Sequence, residues 1–135
     1  MSTDTMILVV EDDPILKNLL GHTFSGKYQV FFASNGAEAL EVLKKHTPSL
    51  ILLDLVMPDM DGFTFMEQVQ AQPELANQHV PIIVVSNLGQ EKDIERAKSL
   101  GARAYLVKAE VSVEEIIAKI QEVLENTAPG EGAAV

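Results

Sequence analysis

Five short apolar runs punctuate the chain, each followed by a longer segment of helical period. Met6–Val10 (MILVV), Leu50–Leu53 (LILL) and Pro81–Val85 (PIIVV) are apolar at every position. Gln29–Ala33, with one polar residue, and the four-residue Ala104–Val107 carry the same β-type composition. A strand without polar alternation is buried on both faces, as in a parallel sheet covered by helices. Between the runs, Ile15, Leu16, Leu19, Leu20 and Phe24 give a first helix its expected apolar stripe, and Ala39, Leu40 and Leu43 do so for a second. A third helix is expected from about Phe63 to Ala71, a fourth from Glu91 to Leu100, and a last one burying Ile116, Ile117, Ile120, Val123 and Leu124.

The punctuation agrees with these elements. Asp13-Pro14 can start the first helix, since Asp caps free N–H groups and Pro has none to leave unpaired. Asn35 with Glu38, and Ser112 with Glu115, have the spacing of N-terminal caps, and Gly101 supplies a left-handed stop. Gln72–His79 is expected as a polar loop with a short helical turn. The pattern is (βα)₅. Right-handed crossovers with helices on both faces make a doubly wound five-stranded parallel sheet the economical α/β packing.

Length and composition narrow the reading. The 135 residues, 47% of them apolar, suit one compact domain, placed at about residues 5–125. The small, Gly- and Pro-bearing segment Asn126–Val135 is expected to be a disordered tail. The chain has no cysteine, which removes disulfides and thiolate chemistry and agrees with a reducing, cytoplasmic setting. Neither a signal peptide nor an apolar run of membrane-spanning length is present. A formal net charge of −10 repels nucleic-acid backbones and anionic membranes, so neither is an expected partner.

In open α/β sheets, ligands bind beyond the carboxyl ends of the strands, where strand order reverses. The first run ends in Glu11, Asp12 and Asp13, the third in Asp54, the fourth in Ser86 and Asn87, and the fifth in Lys108. Singly, each has an ordinary explanation: Asp13 as a helix cap, Ser86 as a turn residue, Lys108 as a solvated side chain. If the strands are parallel, however, these residues converge on one rim. Two like charges 4 Å apart cost about 4 kcal/mol at an effective dielectric of about 20, so clustered carboxylates call for a cation. Oxygen ligands with an open remainder suit Mg²⁺, with Mn²⁺ the substitute; the scattered His22, His46 and His79 disfavour zinc.

At these residues the chain resembles the receiver domain of bacterial two-component response regulators. The matching stretches are ILVVEDDP at 7–14, LILLDLVMPDMDG at 50–62, VPIIVVSN at 80–87 and GARAYLVKA at 101–109. The resemblance implies a flavodoxin-like strand order, 2-1-3-4-5. It implies that Asp54 takes a phosphoryl group from a phosphohistidine of a sensor histidine kinase or phosphotransfer protein. Asp12, Asp54 and the Val56 carbonyl would bind Mg²⁺, with Glu11 acting directly or through water. Lys108 and Ser86 would contact the phosphoryl oxygens. Tyr105 matches the switch aromatic that turns inward when Ser86 moves, remodelling a face made by the fourth helix, fifth strand and fifth helix. The expected product is a signalling domain of the stand-alone type rather than an enzyme. It would be a monomer, with dimerisation on phosphorylation as an option, that docks on a protein target the sequence does not name.

Two positions depart from that family. Ala109 stands where proline usually follows the lysine with a cis bond, so the Lys108–Ala109 bond is expected either to relax to trans or to stay cis under strain. A trans bond together with a Lys108 swung out of the site would count against phosphate binding. Val56 and Leu88 flank Asp54 with apolar side chains that cannot orient a hydrolytic water, which predicts slow self-dephosphorylation.

Other classes fit less well. A flavodoxin-type phosphate loop needs glycine and hydroxyl residues where Glu11-Asp12-Asp13 stands. A haloacid-dehalogenase-type phosphatase needs a second Asp at Val56. Neither G-x-G-x-x-G nor G-x-x-x-x-G-K-[ST] occurs. The remaining alternative is a receiver-like scaffold that binds partners constitutively, without efficient phosphorylation.

Overall fold

The computed structural model describes residues 5–126. The strands β1 (Met6–Val10), β2 (Gln29–Ala33), β3 (Leu50–Leu53), β4 (Ile82–Ser86) and β5 (Ala102–Val107) form one parallel sheet in the order β2-β1-β3-β4-β5. The helices are α1 (Pro14–Phe24), α2 (Gly36–Lys45), α3 (Gly62–Ala71), the four-residue α4 (Pro73–Ala76), α5 (Glu91–Ser99) and α6 (Val113–Asn126). The fourth and fifth helices of the sequence reading are thus α5 and α6. Of the expected tail, Asn126 ends α6, and residues 127–135 lie outside the described part. Among the described residues, no helix is long and apolar enough to cross a membrane.

The unbroken apolar runs feed two cores at once. Leu8, Val10, Ile51, Leu53 and Val84 face one side, where α2, α3 and α5 contribute Ala39, Leu40, Leu43, Phe63, Phe65, Met66 and Ala97. Ile7, Val9, Leu50, Leu52, Ile83 and Val85 face the other, against Leu20 and Phe24 of α1 and Ile116, Ile117, Ile120 and Val123 of α6. Period-two alternation sends neighbours to opposite faces, and the covering helices on each side remove both from water.

The caps form as their sequences require. Asp13 Oδ1 accepts from the Ile15 N–H at 3.0 Å. Ser112 and Glu115 close a reciprocal box, the Glu115 N–H donating to Ser112 Oγ at 3.1 Å and the Ser112 N–H to Glu115 Oε1 at 2.7 Å. Asn35 caps Glu38, but the Glu38 carboxylate reaches back to the N–H of Ser34 rather than of Asn35 itself. Gly101 takes φ +108°, the left-handed stop.

The apolar stripe of α1 is narrower than its sequence suggests. Leu20 and Phe24 are fully buried, whereas Ile15 is 72% and Leu19 49% exposed. Both lie about 100° around the helix from the inward line through Leu16, Leu20 and Phe24, and that rotation carries them off the sheet. Leu124 of α6 is half-buried rather than buried. Strand β5 begins two residues earlier than its apolar run, because backbone pairing with β4 extends through a register shift at Ile82/Ile83 and does not require Arg103 to be apolar.

Candidate functional site

Strand order reverses where β1 lies between β2 and β3, and the residues that leave β1 and β3 at that point are Glu11, Asp12 and Asp54. Val10 pairs with Leu53, so the parallel register delivers these acids side by side. One carboxylate oxygen from each lies within 4.8 Å of the others. Glu11 and Asp54 are nearly buried, at 3% and 5% exposure, whereas Asp12 is exposed.

Lys108 closes the group. Its Nζ lies 3.0 Å from Asp54 Oδ2 and 3.0 Å from Glu11 Oε1. The remaining oxygens are also engaged: the Val56 N–H donates to Asp54 Oδ1 at 3.3 Å, and the Asp13 N–H donates to Glu11 Oε2 at 2.9 Å. Burial pushes the Glu11 carboxyl above its usual range, with the Asp54 charge adding to the rise and the Asp13 N–H and Lys108 opposing it. Burial alone would lower the Lys108 ammonium, but its hydrogen bonds and charge contacts with Asp54 and Glu11 outweigh that and raise it. The lysine is therefore a fixed positive charge at neutral pH. An open depression of 280 Å³ lies against this group, lined by Asp54, Val56, Asn87, Leu88 and Lys108.

The Lys108–Ala109 bond is trans, since the chain contains no cis peptide among its described residues. Of the two expected outcomes the relaxed one is found, and Lys108 nevertheless stays in the site. The short 3₁₀ turn Lys108–Glu110 directs the side chain inward, and the Ala109 N–H donates to Asn87 Oδ1 at 2.9 Å. That bond depends on a residue with an amide hydrogen at position 109.

Ser86 ends β4 fully buried, and its Oγ accepts from the Leu88 N–H at 3.3 Å. Tyr105 is half-buried on β5 and donates its hydroxyl to the Leu88 carbonyl. Burial raises its phenol above the ordinary value, helped by the charges of Asp93 and Asp54 and opposed by Ser86. Both side chains thus hold the β4–α5 loop. Val56 leaves 58% of its surface exposed at the rim of the depression.

The turn after Asp54 is anchored by contacts the sequence did not reveal. The Gly36 N–H donates to the Met60 carbonyl at 2.9 Å, and Asn35 Nδ2 donates to Asp59 Oδ2 at 3.3 Å. Asp59 adopts φ +65°, a left-handed position that Asp tolerates better than most residues. Asn87 was visible only as a polar residue after a strand, with no local pattern to reveal its long-range partner.

Together, the fold and the site define a class: a doubly wound α/β domain with an acidic site and a paired lysine at its topological switch point. Within that class, the chain belongs to the response regulator receiver domain family, whose model matches residues 7–121. A probable transcriptional regulator of Pyropia yezoensis is 38% identical over 120 residues, 87% of this chain and 46% of that protein. Sporulation initiation phosphotransferase F of Bacillus subtilis is 32% identical over 103 residues, 76% of this chain and 80% of that protein. The signal receiver domain of a histidine kinase from Syntrophus aciditrophicus superposes with a TM-score of 0.80 at 28% identity, covering 93% of each chain. The chain spans less than half the length of several curated relatives it matches.

Receiver domains bind Mg²⁺ in an acidic pocket. The donors here fit such an ion: three carboxylates and no nitrogen or sulfur ligand, against which Lys108 supplies a single positive charge.

Proposed function

We propose that Asp54 accepts a phosphoryl group from a phosphohistidine of a sensor histidine kinase or phosphotransfer protein, and that the modified chain changes its affinity for a protein target. The observation that carries this reading is the Asp54 carboxylate itself. It accepts hydrogen bonds from Lys108 and the Val56 N–H, one on each oxygen, and it faces an open depression large enough for a phosphoryl group.

In the transfer, the phosphorus–nitrogen bond of the donor breaks as a bond to an Asp54 oxygen forms, and the imidazole leaves with the electron pair. Glu11, Asp12, Asp54 and the Val56 carbonyl would hold Mg²⁺, which when bound neutralises charge on the phosphoryl oxygens. Lys108 supplies a second positive charge, already paired with the acceptor, so little reorganisation is needed at the moment of transfer. Ser86 would exchange the Leu88 N–H for a phosphoryl oxygen, to which it donates. That movement releases one bond on the β4–α5 loop, while Tyr105 and the Ala109 N–H still hold it at Leu88 and Asn87. The responsive face would be α5, β5 and α6, and the working unit residues 5–125 in the cytoplasm.

A second reading, a scaffold that binds constitutively, draws on the Tyr105–Leu88 bond, which engages the switch aromatic before any phosphoryl group arrives. One experiment separates the two. Incubation with acetyl phosphate and Mg²⁺ is expected to add a single phosphoryl mass, absent from Asp54→Asn and absent in EDTA. Amide shifts are expected to spread to Ser86 and Tyr105. A folded protein that takes no adduct would favour the scaffold.

The adduct is expected to last minutes or longer without a phosphatase, because the apolar side chains of Val56 and Leu88 rim the depression and neither can orient water. Intact-mass decay after removal of the donor measures this. Decay within seconds would mean that another group supplies the water.

A further inference from the structure

The residue after the lysine is not passive in this chain. Strands β4 and β5 pair with Ser86 opposite Val107, so Asn87 and Lys108 leave the sheet side by side. The 3₁₀ turn that begins at Lys108 leaves its first N–H groups without partners inside the turn. The Ala109 N–H finds one across the gap, in Asn87 Oδ1 at 2.9 Å. Tyr105 holds the same loop through the Leu88 carbonyl, and the Leu88 N–H donates to Ser86 Oγ. Lys108 is thus flanked by Val107, paired to Ser86 in the sheet, and by Ala109, tied to Asn87. Its ammonium reaches Asp54 and Glu11 from that clamped turn, with an ordinary trans bond behind it.

We infer that Asn87 is a positioning residue that sets the Lys108 ammonium over Asp54 through the Ala109 amide, and thereby makes the lysine move with Ser86. A loop that shifts toward a phosphoryl group carries Asn87, and through it Ala109, in the same direction. The inference rests on the phosphoryl-acceptor reading for its consequence, though not for its geometry. Proline at position 109 would forfeit the contact, since it has no N–H. The pair Asn87 and Ala109 therefore acts as one device.

The test compares wild type, Asn87→Ala, Ala109→Pro and the double variant, with acetyl phosphate varied at saturating Mg²⁺. Asn87→Ala is expected to lower the maximal transfer rate about three- to tenfold, the range set by losing one neutral hydrogen bond, with the donor KM little changed. In the Ala109→Pro background the same change is expected to have no further effect, because the donor it served is gone. NMR supplies a reading that does not need phosphorylation: a scalar coupling across the hydrogen bond from Ala109 N to the Asn87 carboxamide, and proton contacts from the Lys108 side-chain end to Glu11 and Asp54. Both sets are expected in wild type; in Asn87→Ala the coupling is lost and the Lys108 contacts weaken. An unchanged rate in Asn87→Ala, an equal further loss in the proline background, or Lys108 contacts of wild-type strength without Asn87 would each overturn the inference. If wild type accepts no phosphoryl group at all, the acceptor reading fails by itself. The Lys108 contacts in Asn87→Ala then decide the positioning role alone.

Discussion

Lys108→Ala is expected to abolish most phosphoryl transfer and to destabilise the metal-free protein by about 1–3 kcal/mol. Removing one partner of a buried ion pair costs more than the pair contributes, because the other charge is left uncompensated; the partial exposure of Lys108 brings the figure below the fully buried range. Here two carboxylates are left, Glu11 and Asp54, both nearly buried and without their shared cation. Urea unfolding in EDTA across pH would measure the loss.

The pH dependence has a definite sign. Glu11 holds its proton more tightly in the folded chain than its ordinary value of 4.5 would allow, so the folded state binds more protons than the unfolded one just above that value. Stability from this group therefore falls as pH rises through the window. Without Lys108 the rise in the Glu11 pKa grows, so the deficit of the variant should be greatest near neutrality and shrink as pH falls through the raised value. Lys108 itself is raised, and the stability it contributes is fully present below its ordinary 10.5 and lost as pH climbs through the folded value. A deficit independent of pH between 4 and 7 would mean that the lysine acts by packing its stem rather than by charge.

Gly62→Ala is expected to cost about 3 kcal/mol, the upper end of ordinary overpacking, and to disturb the acceptor turn as well. A Cβ at position 62 would fall 2.5 Å from the Asp54 carbonyl oxygen and 2.8 Å from Leu55 Cα. Both are backbone atoms, so no side-chain rotation relieves the contact. The Gly62 N–H also donates to the Leu55 carbonyl at 3.0 Å, which pins the start of α3 against the end of β3. Any shift that admits the methyl must move the residue that carries the proposed phosphoryl group. Gly21→Ala is the control: its Cβ would meet only the Phe32 ring at 3.5 Å, and a helix-interior alanine should stabilise by up to about 1 kcal/mol. Thermal or urea unfolding of both variants gives the comparison. A Gly62→Ala protein as stable as wild type would show that α3 can slide away from β3 at little cost.

Much of this protein was legible along the chain because its determinants are local or periodic. The all-apolar runs at 6–10 and 50–53 required two covered faces and received them. Caps at Asp13, Asn35 and Ser112, and the stop at Gly101, act within four residues and formed where their spacing placed them. Parallel strands then brought Glu11, Asp12, Asp54 and Lys108 to one rim, since each follows a strand and all the strands point the same way. The strand order came from likeness to a family and not from the hydrophobic pattern, which does not record which strands are neighbours.

What the tertiary structure alone decided are the contacts between segments far apart in sequence. The exposure of Ile15 and Leu19 depends on how α1 is rotated on the sheet, which apolar composition does not specify. The bonds from the Ala109 N–H to Asn87, from the Gly36 N–H to Met60 and from the Tyr105 hydroxyl to Leu88 each join segments well apart in the chain, and no spacing rule links their partners. The placement of Lys108 shows the difference most clearly. Reading the chain by itself, a missing proline left the geometry of the Lys108–Ala109 bond open. In the folded protein the alanine that replaces it supplies an amide hydrogen, and a side chain 22 residues earlier accepts it.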